Sequence, residues 1–250
     1  MPRYTPAPKL LASRIILVTG AGDGIGRAAA LTFAAHGANV ILLGRTADKL
    51  EKVYDEIEKH GAPQAAILPL DLARATPAHY EQVAQTIENE FGRLDGLLHN
   101  AADAGTLTPM ELYEPDMWYR VMQVNLHAAW LLTRACLPLL RKSEDASIVF
   151  TSADAGREGR AYRGAYGVSC FALEGLMQIL ADECATEARI RVNSLDPGAV
   201  RTGMRARAYP GENPLTLLAP DDIMPAYLYM LGPDSRGVNG QALNADDFLK

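Results

Sequence analysis

The chain has 250 residues, 48% of them hydrophobic, and a formal net charge of −6. This length suits one α/β domain with a sizeable core, and the mildly acidic, mixed surface argues against nucleic acid and against an anionic membrane face as partners. No uninterrupted apolar run is long enough to span a bilayer, and the N-terminal stretch lacks the apolar core of a signal peptide. Three cysteines (Cys136, Cys170, Cys184) make no disulfide framework, so a cytoplasmic protein with reduced thiols is expected.

Short apolar runs alternate with amphipathic stretches along the whole chain. RIILVTG (14–20) reads as a strand ending in glycine, followed by a helix over 27–38 that closes at Gly37. NVILLG (39–44) is a second strand. A helix over 47–61 then sets Leu50, Val53, Tyr54 and Ile57 on one face. A strand over 65–72, a helix over 79–92 and a strand over 94–101 follow. Next come one long helix over about 115–141, the strand 147–152, a helix over about 164–187, the strand 189–198 and a last short strand at 240–245. Continuous apolar strands alternating with helices predict a single Rossmann-type, doubly wound parallel sheet of about seven strands with helices on both faces.

The first strand runs directly into TGAGDGIG, with Gly20, Gly24 and Gly26 in a G-x-x-x-G-x-G spacing and Gly22 as an extra. Glycines at a strand-to-helix turn let the backbone approach a pyrophosphate and bring a helix N-terminus to the anion. The second strand then selects the nucleotide. An NAD site usually places Asp or Glu at its end to hold the ribose 2′-hydroxyl. This chain has Gly44 and then Arg45, with Lys49 as a weaker basic candidate, so NADP(H) is the expected cofactor. A methyltransferase would also bind an adenosine cofactor on such a loop, but Arg45, the later Asn125–Tyr166 pair and a Pro-Gly segment at 197–198 speak against it. The five histidines show no metal-ligand spacing, and a hydrolase G-x-S-x-G elbow is missing.

With these residues in view the chain resembles the short-chain dehydrogenase/reductase (SDR) family along essentially its whole length. TGAGDGIG is similar to that family's cofactor loop, Asp71-Leu72 to its adenine-contacting acidic position, HNAA (99–102) to its Asn-Ala-Gly segment, and VNL (124–126) to the segment carrying its structural and catalytic asparagine. Tyr166 stands at the catalytic tyrosine. DPGAVRTGM (196–204) resembles the segment covering the nicotinamide, with Thr202 near its amide. Stretches such as LDGLLHNA, GLMQILADE and MRARAYPGENP are closest to a gamma-proteobacterial group within the family. The resemblance implies cofactor contacts from Gly20, Asp23, Gly24, Ile25, Gly26, Arg45, Asp71, Leu72, Asn100, Ala101, Pro197, Gly198 and Thr202. It also implies a single NADP(H)-binding domain over 1–250, a homodimer or homotetramer built through the 115–141 and 164–187 helices, and a small-molecule carbonyl or alcohol substrate beneath a mobile lid over about 203–219.

The catalytic part departs from that pattern. The family's site combines a tyrosine, a lysine one helical turn later, a serine about thirteen residues earlier and an asparagine. Here Asn125 and Tyr166 are present, but the serine position holds Ala153 and the lysine position Cys170, with Gly156 anchoring the register. An unperturbed tyrosine is phenolate in only about one molecule in a thousand at neutral pH, and a thiol cannot supply an ammonium's charge. Two functions follow as expectations. One is an attenuated NADP(H)-dependent oxidoreductase favouring carbonyl reduction; the other is an NADP(H)-binding pseudoenzyme with a regulatory or partner-binding role. Ser152, on the opposite face of the strand, and Arg157, Arg160 and Arg163 in the next loop are candidates for compensation. Cys170 itself reads as an inert filler, a redox-sensitive thiol, or a divergent or engineered substitution in an active scaffold.

Overall fold

The structure is a computed structural model and describes residues 4–187 and 189–249. Seven strands, all parallel, form one sheet: β1 Ile15–Thr19, β2 Asn39–Gly44, β3 Ala66–Pro69, β4 Gly96–His99, β5 Ala146–Thr151, β6 Ile190–Asp196 and β7 Ala242–Asn244. Their spatial order is β3-β2-β1-β4-β5-β6-β7. The order reverses between β1 and β4, so a crevice opens beyond the carboxyl ends of these two strands, where ligands bind in doubly wound sheets.

Alternation along the strands loads both faces. Ile16 and Val18 of β1 and Val40 and Leu42 of β2 point into one core. Helices α1 (Gly24–Ala35) and α8 (Met224–Leu231) close it with Phe33, Tyr227 and Met230. Ile15, Leu17, Ile41 and Leu43 face a second core. It is filled by α3 (Pro77–Phe91), α5 (Ala128–Leu140) and α6 (Gly164–Cys184) through Tyr80, Leu132 and Met177. α2 (Ala47–Lys59) buries Leu50, Val53 and Ile57 on the first face. A buried charge cluster, Asp145 with Arg14 and Arg191, fixes the amino ends of the strands, away from the crevice.

Two expectations need correction, and two helices were not foreseen. The third strand stops at Pro69, so Asp71 and Leu72 lie in the following turn, where Asp71 Oδ1 accepts a bond from the Ala73 amide at 3.1 Å. The long helix is α4 (Pro115–Met122) and α5 joined by a π-helical turn over Gln123–His127, an interruption that side-chain periodicity does not reveal. α8 was not expected. The lid region contains its own short helix, α7 (Gly203–Ala208). By length and composition α6 could cross a membrane; in this structure Leu173, Met177 and Leu180 pack it into the second core.

Candidate active site

The phosphate loop is built by close backbone approach. Gly20 and Gly24 adopt φ of +69° and +51°, where only glycine is unstrained. A Cβ on Gly26 would stand 2.3 Å from the Gly20 carbonyl oxygen and 2.6 Å from Asn100 Nδ2. Asn100 Nδ2 donates to the Thr19 carbonyl at 3.2 Å. Thr19 Oγ1 accepts from the amides of Asn100 and Ala101 at 2.9 and 3.0 Å. Thr19 therefore stitches β1 to the β4 loop at the reversal point. It is a role no spacing in the sequence announces.

Asp23 caps α1, its Oδ1 accepting from the Gly24 amide at 2.8 Å. Ile25 follows in the first turn, half-buried. Gly24 is overlain by the loop after β6: a Cβ there would meet Thr202 Cγ2 at 3.3 Å. Thr202 spends its hydroxyl capping α7, accepting from the Arg205 amide at 3.1 Å. Pro197 is buried, and Gly198 takes φ of +71° with its amide on Asp196 Oδ1 at 2.8 Å. At the end of β2, Arg45 is exposed, and no carboxylate pairs with it among the described residues. Thr46, the N-cap of α2, makes no side-chain capping bond, so that helix start offers a hydroxyl and free amides beside the guanidinium. A glycine cradle that a single methyl would fill, together with an unpaired guanidinium at a free helix start, fits a dinucleotide carrying a 2′-phosphate.

The catalytic half is assembled across α5, α6 and the strand ends. A cavity of about 20 Å³, room for one water, is lined by Leu72, His99, Ala101, Asn125, Tyr166 and Cys170 among others. Asn125 sits on the π-helical turn with its amide saturated. Its Oδ1 accepts from the Asp103 amide at 2.7 Å, and its Nδ2 donates to the Asp103 carbonyl at 3.0 Å and to Ser169 Oγ at 2.9 Å. Ser169 Oγ in turn donates to the Tyr166 carbonyl at 2.8 Å. This buried serine, three residues after Tyr166, ties the tyrosine's helix to the asparagine.

Nothing replaces the missing charge. The Cys170 thiol faces the Tyr166 phenol. Burial, and then the thiol, push the phenol's pKa well above the usual tyrosine range. Burial likewise pushes the thiol up to about 12, so both groups stay protonated at neutral pH. Arg163 lowers the phenol's pKa, through space, while its guanidinium lies 5.5 Å over the Tyr209 ring. Arg157 is bound to the Leu243 carbonyl and Asn244 Oδ1 at 2.8 and 2.6 Å, and Arg160 to Glu158 at 2.8 Å. Ala153 brings only a methyl. Ser152 does not stand in for it: its hydroxyl is buried without a partner beneath Gly156, and the residue is not among those lining the cavity. Asp196, at the end of β6, adds negative charge and raises the phenol's pKa further.

The model of the family described as short chain dehydrogenase matches residues 14–213. The chain belongs to the short-chain dehydrogenase family. Within it, the oxidoreductase YciK of Escherichia coli K12 is 51% identical over 242 residues, 97% of this chain and 95% of that protein. A short chain dehydrogenase structure from Pseudomonas syringae superposes with a TM-score of 0.96 at 59% identity, covering 98% of this chain and 99% of the other. Two further short-chain dehydrogenases were solved with nucleotide. The Shigella flexneri 2a protein, complexed with NADP, has a TM-score of 0.94 at 50% identity over 96% of this chain and all of its own. The Escherichia coli CFT073 protein, complexed with NADPH, has a TM-score of 0.93 at 51% identity over 96% of this chain and 99% of its own.

Proposed function

We propose that this short-chain dehydrogenase binds NADP(H) and acts as an attenuated carbonyl reductase, with Tyr166 as the proton donor. One observation carries the direction: a buried thiol, Cys170, stands against the phenol where a cation would lower its pKa, and burial favours the protonated form. A protonated phenol can donate to a developing alkoxide, which reduction needs, but it cannot act as the base that alcohol oxidation needs. Bound NADPH supplies the hydride. The chain's own residues position the phenol through Ser169 and Asn125 and surround it with apolar walls. Lacking a serine hydroxyl at position 153, the site loses one preorganised donor to the substrate oxygen, a loss of roughly 10²–10³ in rate.

Exposed Leu107, Met110 and Leu112 before α4, Tyr162 before α6, and Leu215 and Leu218 after α7 give the loops at the strands' carboxyl ends an apolar surface. They support a lipophilic carbonyl as substrate. Residues 203–219 serve as its lid, braced internally by Arg205 on Glu212 at 2.7 Å and by the same guanidinium 4.0 Å over the Tyr209 ring. Val168, Phe171 and Ile179 form an exposed apolar stripe on α6, and Trp130 is exposed on α5, which supports a homodimer or homotetramer through these helices. Three buried cysteines without disulfides suit a reducing cytoplasm.

The saturated amide of Asn125 and the uncharged phenol also favour a second function, nucleotide binding without turnover. The two separate in one experiment. NADPH binding is followed by nicotinamide fluorescence, and NADPH consumption by absorbance against a panel of carbonyls graded in chain length, for the wild type and Ala153→Ser/Cys170→Lys. Turnover by both proteins supports the reductase. Binding by both with turnover by the double variant alone supports the second function, and binding by neither overturns both.

A further inference from the structure

Lys49 lies in the first turn of α2, one helical turn beyond Arg45, and its ammonium pairs with Asp23 Oδ2 across the mouth of the phosphate loop. The pair is open to solvent, with side chains 52% and 68% exposed. Asp23 is also the cap of α1, and Arg207 of the lid helix is close enough to help depress its pKa. One carboxylate thus engages a cation from the β2–α2 corner and feels another from the lid. Lys49 stands against the glycine loop itself: a Cβ on Gly22 would lie 2.9 Å from Lys49 Cβ. Carboxylate and phosphate are both oxyanions and compete for the same ammonium. A fixed negative charge at that helix start also opposes the diphosphate.

We propose that Asp23 is a built-in competitor for the phosphates of NADP(H): Lys49 is a second ligand for the 2′-phosphate beside Arg45, and Asp23 restrains it. The pair thereby sets affinity and the preference for NADP(H) over NAD(H). This rests on NADP(H) being the cofactor. An exposed ion pair is worth a factor of about five at most, so the restraint is modest and tunable. It leaves Arg45 as the primary anchor.

The test measures dissociation constants for NADPH and NADH by nicotinamide fluorescence at constant salt. The proteins are wild type, Asp23→Ser, Lys49→Ala and the double variant. Serine keeps the cap on α1 while removing the charge; Asp23→Asn serves if Asp23→Ser does not fold. Asp23→Ser is expected to tighten NADPH about two- to fivefold and NADH less. Lys49→Ala is expected to weaken NADPH and to abolish the part of the Asp23→Ser gain that is specific to NADPH. Weaker NADPH binding by Asp23→Ser, equal gains for both nucleotides, or a gain that survives Lys49→Ala would each overturn the proposal while the cofactor assignment stands. A wild type that binds neither nucleotide overturns the cofactor assignment and the proposal together.

Discussion

Restoring the two missing groups is the most direct perturbation of this site. In Cys170→Lys an ammonium enters one turn from Tyr166, at a position only 4% exposed. A cation about 4–6 Å from a titrating group moves its pKa by roughly 1–3 units, so the phenolate fraction at neutral pH rises about 10- to 1000-fold. Ala153→Ser returns a donor worth roughly 10²–10³. Groups that act as one unit are not additive, so the expected gain of the double variant in NADPH-dependent reduction is at least about 10², not the product. Alcohol oxidation, which depends on the phenolate, gains more than reduction. The lysine must also fit. The adjoining cavity of about 20 Å³ holds one water, so the longer side chain overpacks its surroundings at a cost of about 1–3 kcal/mol. The melting temperature then falls by roughly 2–12 °C. Initial rates in both directions against pH, with calorimetry on the same proteins, test the whole chain of reasoning. A wild type that oxidises alcohols faster than it reduces carbonyls at neutral pH, under matched driving force, would refute it. So would a Cys170→Lys variant whose oxidation profile does not move toward lower pH.

Arg45→Ala should weaken NADPH binding by about 10- to 100-fold, the value of a charge-assisted bond to phosphate, and leave NADH binding nearly unchanged; paired fluorescence titrations measure the ratio. Gly26→Ala drives a methyl into the Gly20 carbonyl and Asn100, so loss of detectable NADPH binding is expected, with a lowered melting temperature. Alkaline pH should destabilise the fold. The Cys136 and Cys170 thiols rise from near 9 to about 12 on folding. Their contribution is full below pH 9 and is lost as pH climbs toward 12, at up to about 1.4 kcal/mol per pH unit for each group. Urea midpoints should fall between pH 8 and pH 11, less steeply in Cys170→Ala. Ile179→Glu, in the exposed stripe of α6, should reduce the molar mass seen by light scattering to that of the monomer, with the fold retained by circular dichroism.

Most of the sheet was legible because its inner strands β1, β2, β4 and β5 are buried on both faces and so read as largely apolar runs. α8 was not, for the same physical reason turned around. MPAYLYML is buried along most of its short length and so carries no polar face from which a helical period can be read, and Pro225 at its start suggests a break. The π-helical turn at Asn125 leaves the side-chain pattern of a long helix intact, so only the backbone reveals it. In the site, Ala153 and Cys170 were legible as departures because spacing from Gly156 and Tyr166 fixes their register. The contacts of Thr19 with the β4 loop, of Ser169 with Asn125, and of Lys49 with Asp23 were not. Each depends on which side chain reaches which neighbour, and all three join segments that only the fold brings together.

The bonds that hold Asn125 run to Asp103 and Ser169, and Ser169 ties them to the backbone at Tyr166. None of them runs through position 170 or position 153. The frame that holds the backbone at Tyr166 is therefore independent of the residues that would energise its phenol. A lineage could silence this site with two codons, keep its architecture under ordinary selection for stability, and regain the chemistry by reversing the same two changes. Under the proposed function, the placing of the tyrosine's helix is thus inherited separately from the charge that would activate its phenol.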